Sequence, residues 1–454
     1  MADTIDKGKR SGSTSGAPGA GGPGAAPQGS PSLVDRALGP YRTITRFLER
    51  RTLVRVARAV PRALRFISTS ALDGSVVDAV SSSRIAPLLA VGVAADEAFL
   101  AVAMAPSRFP RRADYTRVSA ELVEAGQLFT SEGWLADPAS YHQTPPALAR
   151  DDVSTSQGWA MGLAYERIAY DSGYAPWADE PGHQRWMGFA PNRTASATIV
   201  RHAEDGGGAR PWIVCVHGFA MGYPFMDFPG LRTAQLHHGL GANIALPVLP
   251  LHGPRKVTRL SGEPFLSFDL MNTVHGFAQA VWDIRRLLSW IRDQGATSIG
   301  VYGVSLGAYV VSLLAGLEDG LDAVVAGIPM VDLPALFHEQ SPLHVRARAI
   351  EHNIIGGNAE ELFRAVSPLA VAPKVPVDRR FIFAGYGDRL ALPEHARRLW
   401  EHWEHPQASW YWGSHVGYLW SRQVATFLQD SLAASGLSYE QNSARIDHPY
   451  GRVA

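Results

Sequence analysis

The apolar and polar positions divide the chain into regimes. Residues 1–32 carry almost no bulky apolar side chain, and 11–32 is built from Gly, Pro, Ala and Ser. Such a stretch cannot bury enough surface to offset its ordering entropy, which predicts a disordered tail. Residues 33–160 show mainly helical patterning, a helical N-terminal extension or cap. From 161 to 436, short apolar runs alternate with longer amphipathic ones. Strands are predicted at 164–170, 212–216, 242–249, 299–302, 321–328, 380–385 and 408–412, and a strand pair at 185–190 and 194–202 turning on Pro191-Asn192-Arg193. Helical parts fall within 221–240, in a helix from near 277 to 294, at 308–317 and at 422–434. Strands separated by helices predict an α/β fold with a mostly parallel central sheet covered by helices on both faces. Between 333 and 375 the chain inserts about forty residues of helical character, and 437–454 reads as a polar tail.

Two stretches of the extension raise the question of a membrane. Residues 36–65 interleave nine arginines with Ile44, Phe47, Leu48, Leu53, Val54 and Val56. This is a candidate for peripheral contact with an anionic membrane surface, the competing reading being a cationic helix packed on the main domain. Residues 85–105 are mostly apolar and long enough to span a bilayer, but Asp96 and Glu97 fall at their centre and Pro87 lies inside. A packed helix or helical hairpin is the expectation.

Composition adds bounds rather than a function. Hydrophobic residues make up 46% and charged residues 19%, so the chain can build an ample core. The formal net charge is zero, which provides no global field for nucleic acid. The single cysteine, Cys215, lies in an apolar run and reads as a buried, inert thiol; with no secretory run, this suits a cytoplasmic protein. No metal, phosphate-loop or dinucleotide motif is present, so no cofactor is expected. His237, His238, His402 and His405 read as surface helix residues.

The candidate chemistry centres on residues 298–316. An apolar run ends in Gly303-Val304-Ser305-Leu306-Gly307, and a helix apolar nearly all round follows. Strand, sharp turn and helix give a bare G-x-S-x-G the context of a nucleophile elbow. Glycines two residues either side of the serine remove side chains that would collide in so tight a turn. Upstream, an apolar run enters His217-Gly218-Phe219, where Gly218 allows close backbone approach and His217 reads as structural. Downstream, a run ends in Gly-Tyr-Gly-Asp388, 83 residues after Ser305, and His415 follows 27 residues later in a glycine-flanked loop.

These four segments together resemble the α/β-hydrolase superfamily, over roughly 195–436. The motifs match in order, Ser then Asp then His, and point to no single family within it. The resemblance implies a catalytic domain over 161–436 with 333–375 as a lid. It also implies Ser305 as nucleophile, His415 as base, Asp388 as the orienting acid with Asp332 as runner-up, and the amides of Phe219 and Leu306 as the oxyanion hole. A small-molecule ester with apolar acyl or alcohol groups is the implied substrate, suggested by Phe219, Met221, Phe225, Met226, Trp410, Trp412, Tyr418 and Trp420 near the two loops. Arg255, at another strand end, has two readings, a contact to a substrate carboxylate or a structural ion pair. An acyltransferase with the same three residues, and a non-catalytic binding protein of this fold, stay open.

Overall fold

Among the described residues, nine strands form one sheet in the order β1-β2-β3-β5-β4-β6-β7-β8-β9. They are β1 Ser154–Ala160, β2 Leu163–Asp171, β3 Thr194–Val200, β4 Trp212–Val216, β5 Asn243–Pro247, β6 Ile299–Val304, β7 Ala323–Gly327, β8 Arg380–Gly385 and β9 Gln407–Tyr411. The computed structural model describes residues 92–96, 110–202 and 209–439. From β5 to β9 every pairing is parallel, while β1, β2, β3 and β5 pair antiparallel in succession. Strands β4, β5, β6, β7 and β8 are buried at every position, because helices cover both faces. This is the α/β-hydrolase architecture expected from the sequence.

The helices that matter below are α1 Arg112–Ser131, α2 His183–Met187, α3 Pro224–Gly230, α4 Thr233–Leu240, α5 Leu270–Asp293 and α6 Leu306–Leu317. Between β7 and β8 lie α7 Leu333–Gln340, α8 Leu343–Glu351 and α9 Asn358–Phe363, and α10 Pro393–His402 and α11 Arg422–Ala434 close the chain. Every residue of α6 is buried, so it runs through the core between the sheet and α5. In α1 the buried positions Tyr115, Val118, Leu122, Ala125 and Phe129 recur every three or four residues and join the sheet's own core cluster. Glu121 of α1 accepts a two-pronged contact from Arg185, which also reaches Asn272 of α5. Helix α1 is therefore cemented to the sheet domain by both apolar and ionic contacts.

Four expectations need correction. Residues 185–190 are not a strand: α2 occupies 183–187, because β3 already has β2 on one side and β5 on the other. The sheet begins earlier than expected, at Ser154, in an edge hairpin whose turn residues Met161 and Gly162 both have positive φ, 49° and 84°. Helix α5 starts at Leu270 rather than near 277. Leu437, at the start of the expected polar tail, is fully buried and lies against Gly300 of β6. The segments 1–32 and 36–65, and residues 440–454, lie outside the described residues. Of 85–105 the described part, 92–96, is helical. Among the described residues no helix is long and apolar enough to cross a membrane.

Candidate functional site

The parallel strands carry their carboxyl ends to one edge, where loops can converge. Ser305 stands between β6 and α6 with φ 56° and ψ −115°, a region costly for any residue with a Cβ. The neighbouring glycines make that turn possible. A methyl on Gly303 would lie 2.2 Å from the carbonyl oxygen of Gly307, and one on Gly307 would lie 2.0 Å from that of Val216. The first turn of α6 is thus pressed onto the end of β4. The Ser305 amide donates to the carbonyl of Gly327 at 2.9 Å, which locks the turn to β7.

The loop after β4 lies against this turn. A methyl on Gly218 would be 3.6 Å from Cβ of Ser305 and 3.5 Å from the carbonyl oxygen of Val304. Phe219, the next residue, is half-buried, and Leu306 opens α6 fully buried. His217 is committed elsewhere: Nε2 accepts the Leu249 amide at 3.1 Å, which leaves Nδ1–H to donate to the carbonyl of Gly218 at 2.9 Å. Burial keeps it neutral, its pKa below the usual imidazole value. Asp227 of α3 accepts the Gly222 amide at 2.9 Å and steadies the far end of the loop.

On the other side, the loops after β8 and β9 continue the ladder beyond the strands. The Tyr386 amide donates to Tyr411 at 3.1 Å and the Gly387 amide to Gly413 at 2.9 Å. Gly385 has no room for a side chain, since a methyl there would meet the Gly413 carbonyl at 2.5 Å. This zipper delivers Asp388 and His415 to each other. His415 Nδ1–H donates to Asp388 Oδ2 at 2.7 Å, and Asp388 Oδ1 accepts the amides of Leu390 and Ala391 at 2.9 Å each. Both residues are buried. Burial alone would lower the imidazole pKa, but the charge and hydrogen bond of Asp388, and then the charge of Asp96, hold it above its usual value. Among the described residues, no hydrogen bond joins Ser305 Oγ to His415.

Asp96 was not among the residues singled out from the sequence as site candidates. Its carboxylate is fully buried and accepts the amides of His415 at 2.8 Å and Val416 at 3.1 Å. The signal was present as an acidic pair inside an apolar run, which elsewhere marks a charge with a partner. Asp332 stands apart from His415: it caps α7 by accepting the Ala335 amide at 2.9 Å and pairs with Arg398. Arg255 takes its structural reading. It is buried, pairs with Asp283 at 2.9 Å and donates to the carbonyls of Val248 and Asn192. Tyr418 belongs to the core, donating to Gly230, whereas Phe225 and Trp420 are exposed. His237 is buried rather than on the surface, its ring held by the carbonyl of Ala242. Among the described residues no group of three or more His, Cys, Asp or Glu side chains could hold a metal ion.

Over 326 residues the chain is 43% identical to the uncharacterized protein Rv2627c of Mycobacterium tuberculosis strain ATCC 25618 / H37Rv, covering 71% of this chain and 76% of the relative. The uncharacterized protein MT2702 of strain CDC 1551 / Oshkosh matches to the same extent. The chain belongs to their family. No family model matches it. Similar solved structures include a cold-adapted esterase from an Arctic intertidal metagenomic library, 14% identical, covering 62% of this chain and 98% of that one with a TM-score of 0.42. The Pyrococcus furiosus esterase Pf2001 is 13% identical, covering 64% and 99%, with a TM-score of 0.38. Acetyl xylan esterase 1 from Thermoanaerobacterium sp. JW/SL YS485 is 12% identical, covering 62% and 90%, with a TM-score of 0.40. Likeness this distant says nothing of what the present chain acts on.

Proposed function

We propose that this protein is a serine hydrolase that cleaves carboxylic esters through an acyl-enzyme intermediate. The observation that carries this reading is the pairing of a strained serine on a strand-to-helix turn with a buried Asp388–His415 couple at the same sheet edge. Ser305, at φ 56° and ψ −115°, lies outside the left-handed helical region that a turn residue such as Arg232 adopts at φ 53° and ψ 36°, and strain of this kind clusters at functional sites. Asp388 fixes the imidazole with its proton on Nδ1, so Nε2 is left free to accept.

The steps follow from these groups. His415 Nε2 removes the proton from Ser305 Oγ as the oxygen attacks the ester carbonyl. The tetrahedral oxyanion accepts the amides of Phe219 and Leu306, a pair in which each donor contributes about 3 to 4 kcal/mol. Collapse breaks the bond to the alcohol oxygen, which leaves with the proton from the imidazolium. Water, deprotonated by the same imidazole, then releases the acid and restores Ser305. The mechanism requires a hydrogen bond between Ser305 and His415 to form with substrate bound, the state in which such contacts tighten. The exposed Phe225 and Trp420 support a substrate with apolar acyl or alcohol groups, and the helices α7 to α9 would act as its lid.

Wild type and Ser305→Ala, treated with a fluorophosphonate and then assayed on p-nitrophenyl esters from acetate to palmitate, test the reading. Labelling and turnover by wild type alone are expected. A competing alcohol in the assay separates water from an alcohol as acceptor, so ester products in place of free acid would make the protein an acyltransferase. Folded wild type that neither labels nor turns over would overturn the reading in favour of a binding protein.

A further inference from the structure

One buried carboxylate at this site has no part in the steps above. Asp96 lies in the helical segment 92–96, far from His415 in sequence, and is fully shielded from water. Its Oδ2 accepts the amides of His415 at 2.8 Å and Arg389 at 3.3 Å, and its Oδ1 accepts the amide of Val416 at 3.1 Å. Arg389 directly follows Asp388, so one carboxylate holds the acid loop and the histidine loop together. Gly92, one helical turn earlier, lies on the same face. A methyl there would meet Ser414 Oγ at 2.7 Å and its Cβ at 3.1 Å, so glycine lets the segment close onto the residue before His415. Ser414 is itself fully buried, and its hydroxyl has no hydrogen-bond partner among the described residues.

Burying a carboxylate is costly, and a neutral side chain would avoid that cost, but one carboxamide or hydroxyl oxygen could not accept all three loop amides as the two carboxylate oxygens do. A charge at this place is explained by what stands beside it. We propose that Asp96 is a positioning residue of this site, clamping the His415 loop to the Asp388 loop and adding a second negative charge beside the imidazole. The proposal rests on reading His415 as the general base. It makes the segment 92–96 part of the active site, not merely a neighbour of the sheet domain. Among the described residues, the titratable groups that face Asp96 are Asp388 and His415 on the two loops and Tyr411 on β9. Burial first, then the charge of Asp388, push its carboxyl up to about 6, against the pull of His415 and of the amides of Val416 and His415. Burial keeps the Tyr411 phenol protonated, donating to the carbonyl of Ser414 at 2.7 Å.

The test uses the full chain as wild type, Asp96→Asn and Gly92→Ala, with thermal melts to establish folding. Asparagine keeps the shape but removes the charge and one acceptor, whereas Gly92→Ala keeps the carboxylate and displaces the segment. The readouts are the titration of His415, followed by NMR of histidine labelled at Cε1 and assigned with His415→Gln, and kcat and KM on a p-nitrophenyl ester. Asp96→Asn should lower the His415 pKa by about one unit. It should cut kcat about 10- to 100-fold while KM stays within about twofold. Gly92→Ala should act in the same direction, and carries the test alone if Asp96→Asn does not fold. A folded variant whose His415 titrates and turns over like wild type overturns the proposal. Failure of both variants to fold overturns it equally, by giving Asp96 a purely structural part. Turnover by wild type with an unshifted His415 in Asp96→Asn sinks the clamp and spares the hydrolase. A His415 that shifts in Asp96→Asn, while wild type neither hydrolyses esters nor takes the fluorophosphonate, does the reverse.

Discussion

Replacing Asp388 by asparagine tests the proposed chemistry at its most sharply determined point. The side chain now satisfies three donors: the Leu390 and Ala391 amides on Oδ1 and the His415 Nδ1–H on Oδ2. An asparagine has one carbonyl oxygen, and two fixed amides outvote one rotatable ring for it. Its NH2 group is then turned toward His415 Nδ1, which can meet it only as an acceptor. The imidazole proton moves to Nε2, the atom that has to take the proton from Ser305. A wrong tautomer of this kind lowers kcat about 10⁴-fold in the serine-protease case, roughly 5 kcal/mol of transition-state free energy. The same change removes the leading influence that holds the imidazole pKa up. In wild type, kcat/KM should fall as pH drops through that raised pKa, because the protonated ring cannot act as a base. Residual activity in Asp388→Asn should persist to lower pH. Steady-state hydrolysis of a p-nitrophenyl ester between pH 5 and 9, beside the rate of fluorophosphonate labelling, measures both effects. A folded Asp388→Asn protein with kcat within tenfold of wild type would refute the reasoning.

Other outcomes follow from single contacts. Gly307→Ala should be severely destabilised or insoluble, since its methyl would lie 2.0 Å from the Val216 carbonyl oxygen; a melting temperature close to wild type would contradict that packing. Arg255→Ala leaves Asp283 buried without its cation and should cost about 3 to 5 kcal/mol in urea unfolding, with activity per folded molecule retained. Glu180, buried with the Trp177 amide donating to it at 2.9 Å and His275 Nδ1 3.6 Å away, has its carboxyl pushed by burial from 4.5 up to about 7, against the pull of Tyr141 and the Trp177 amide. Its folded pKa is raised, so its contribution is fully present below about 4.5 and is lost as pH rises toward 7, a loss on the order of 3 kcal/mol. Unfolding curves of Glu180→Gln across that window should be flatter than those of wild type, and identical slopes would contradict the assignment.

The central strands were legible because strands buried on both faces read as unbroken apolar runs, and β8 was located to the residue for that reason. Edges were harder. Strand β1 is exposed along most of its length and turns through Met161-Gly162, which carries no apolar alternation and lacks the Asn-Gly signature of a hairpin. Segment 185–190 misled because a short stretch with Trp186, Met187 and Phe189 fits a strand as well as a helical turn. Only the occupancy of both sides of β3 decides between them, and that is a property of the whole sheet.

The site divides along a similar line. Ser305, Asp388 and His415 were visible because each follows a strand at a glycine-bounded turn, a local pattern with a steric cause. Asp96 shares none of those marks. Its partners are backbone amides, which look alike in every sequence, and they lie about 290 to 320 residues away along the chain. What the sequence did display was a carboxylate in a run too apolar to solvate it, and this weighed only against a membrane span. The same fact has a second consequence: a charge placed where water cannot reach it must be met by donors elsewhere in the fold. A buried acid in a segment that precedes a candidate catalytic domain is therefore a reason to look for loop amides at the proposed site. Here that search ends on the histidine whose basicity the proposed reaction requires.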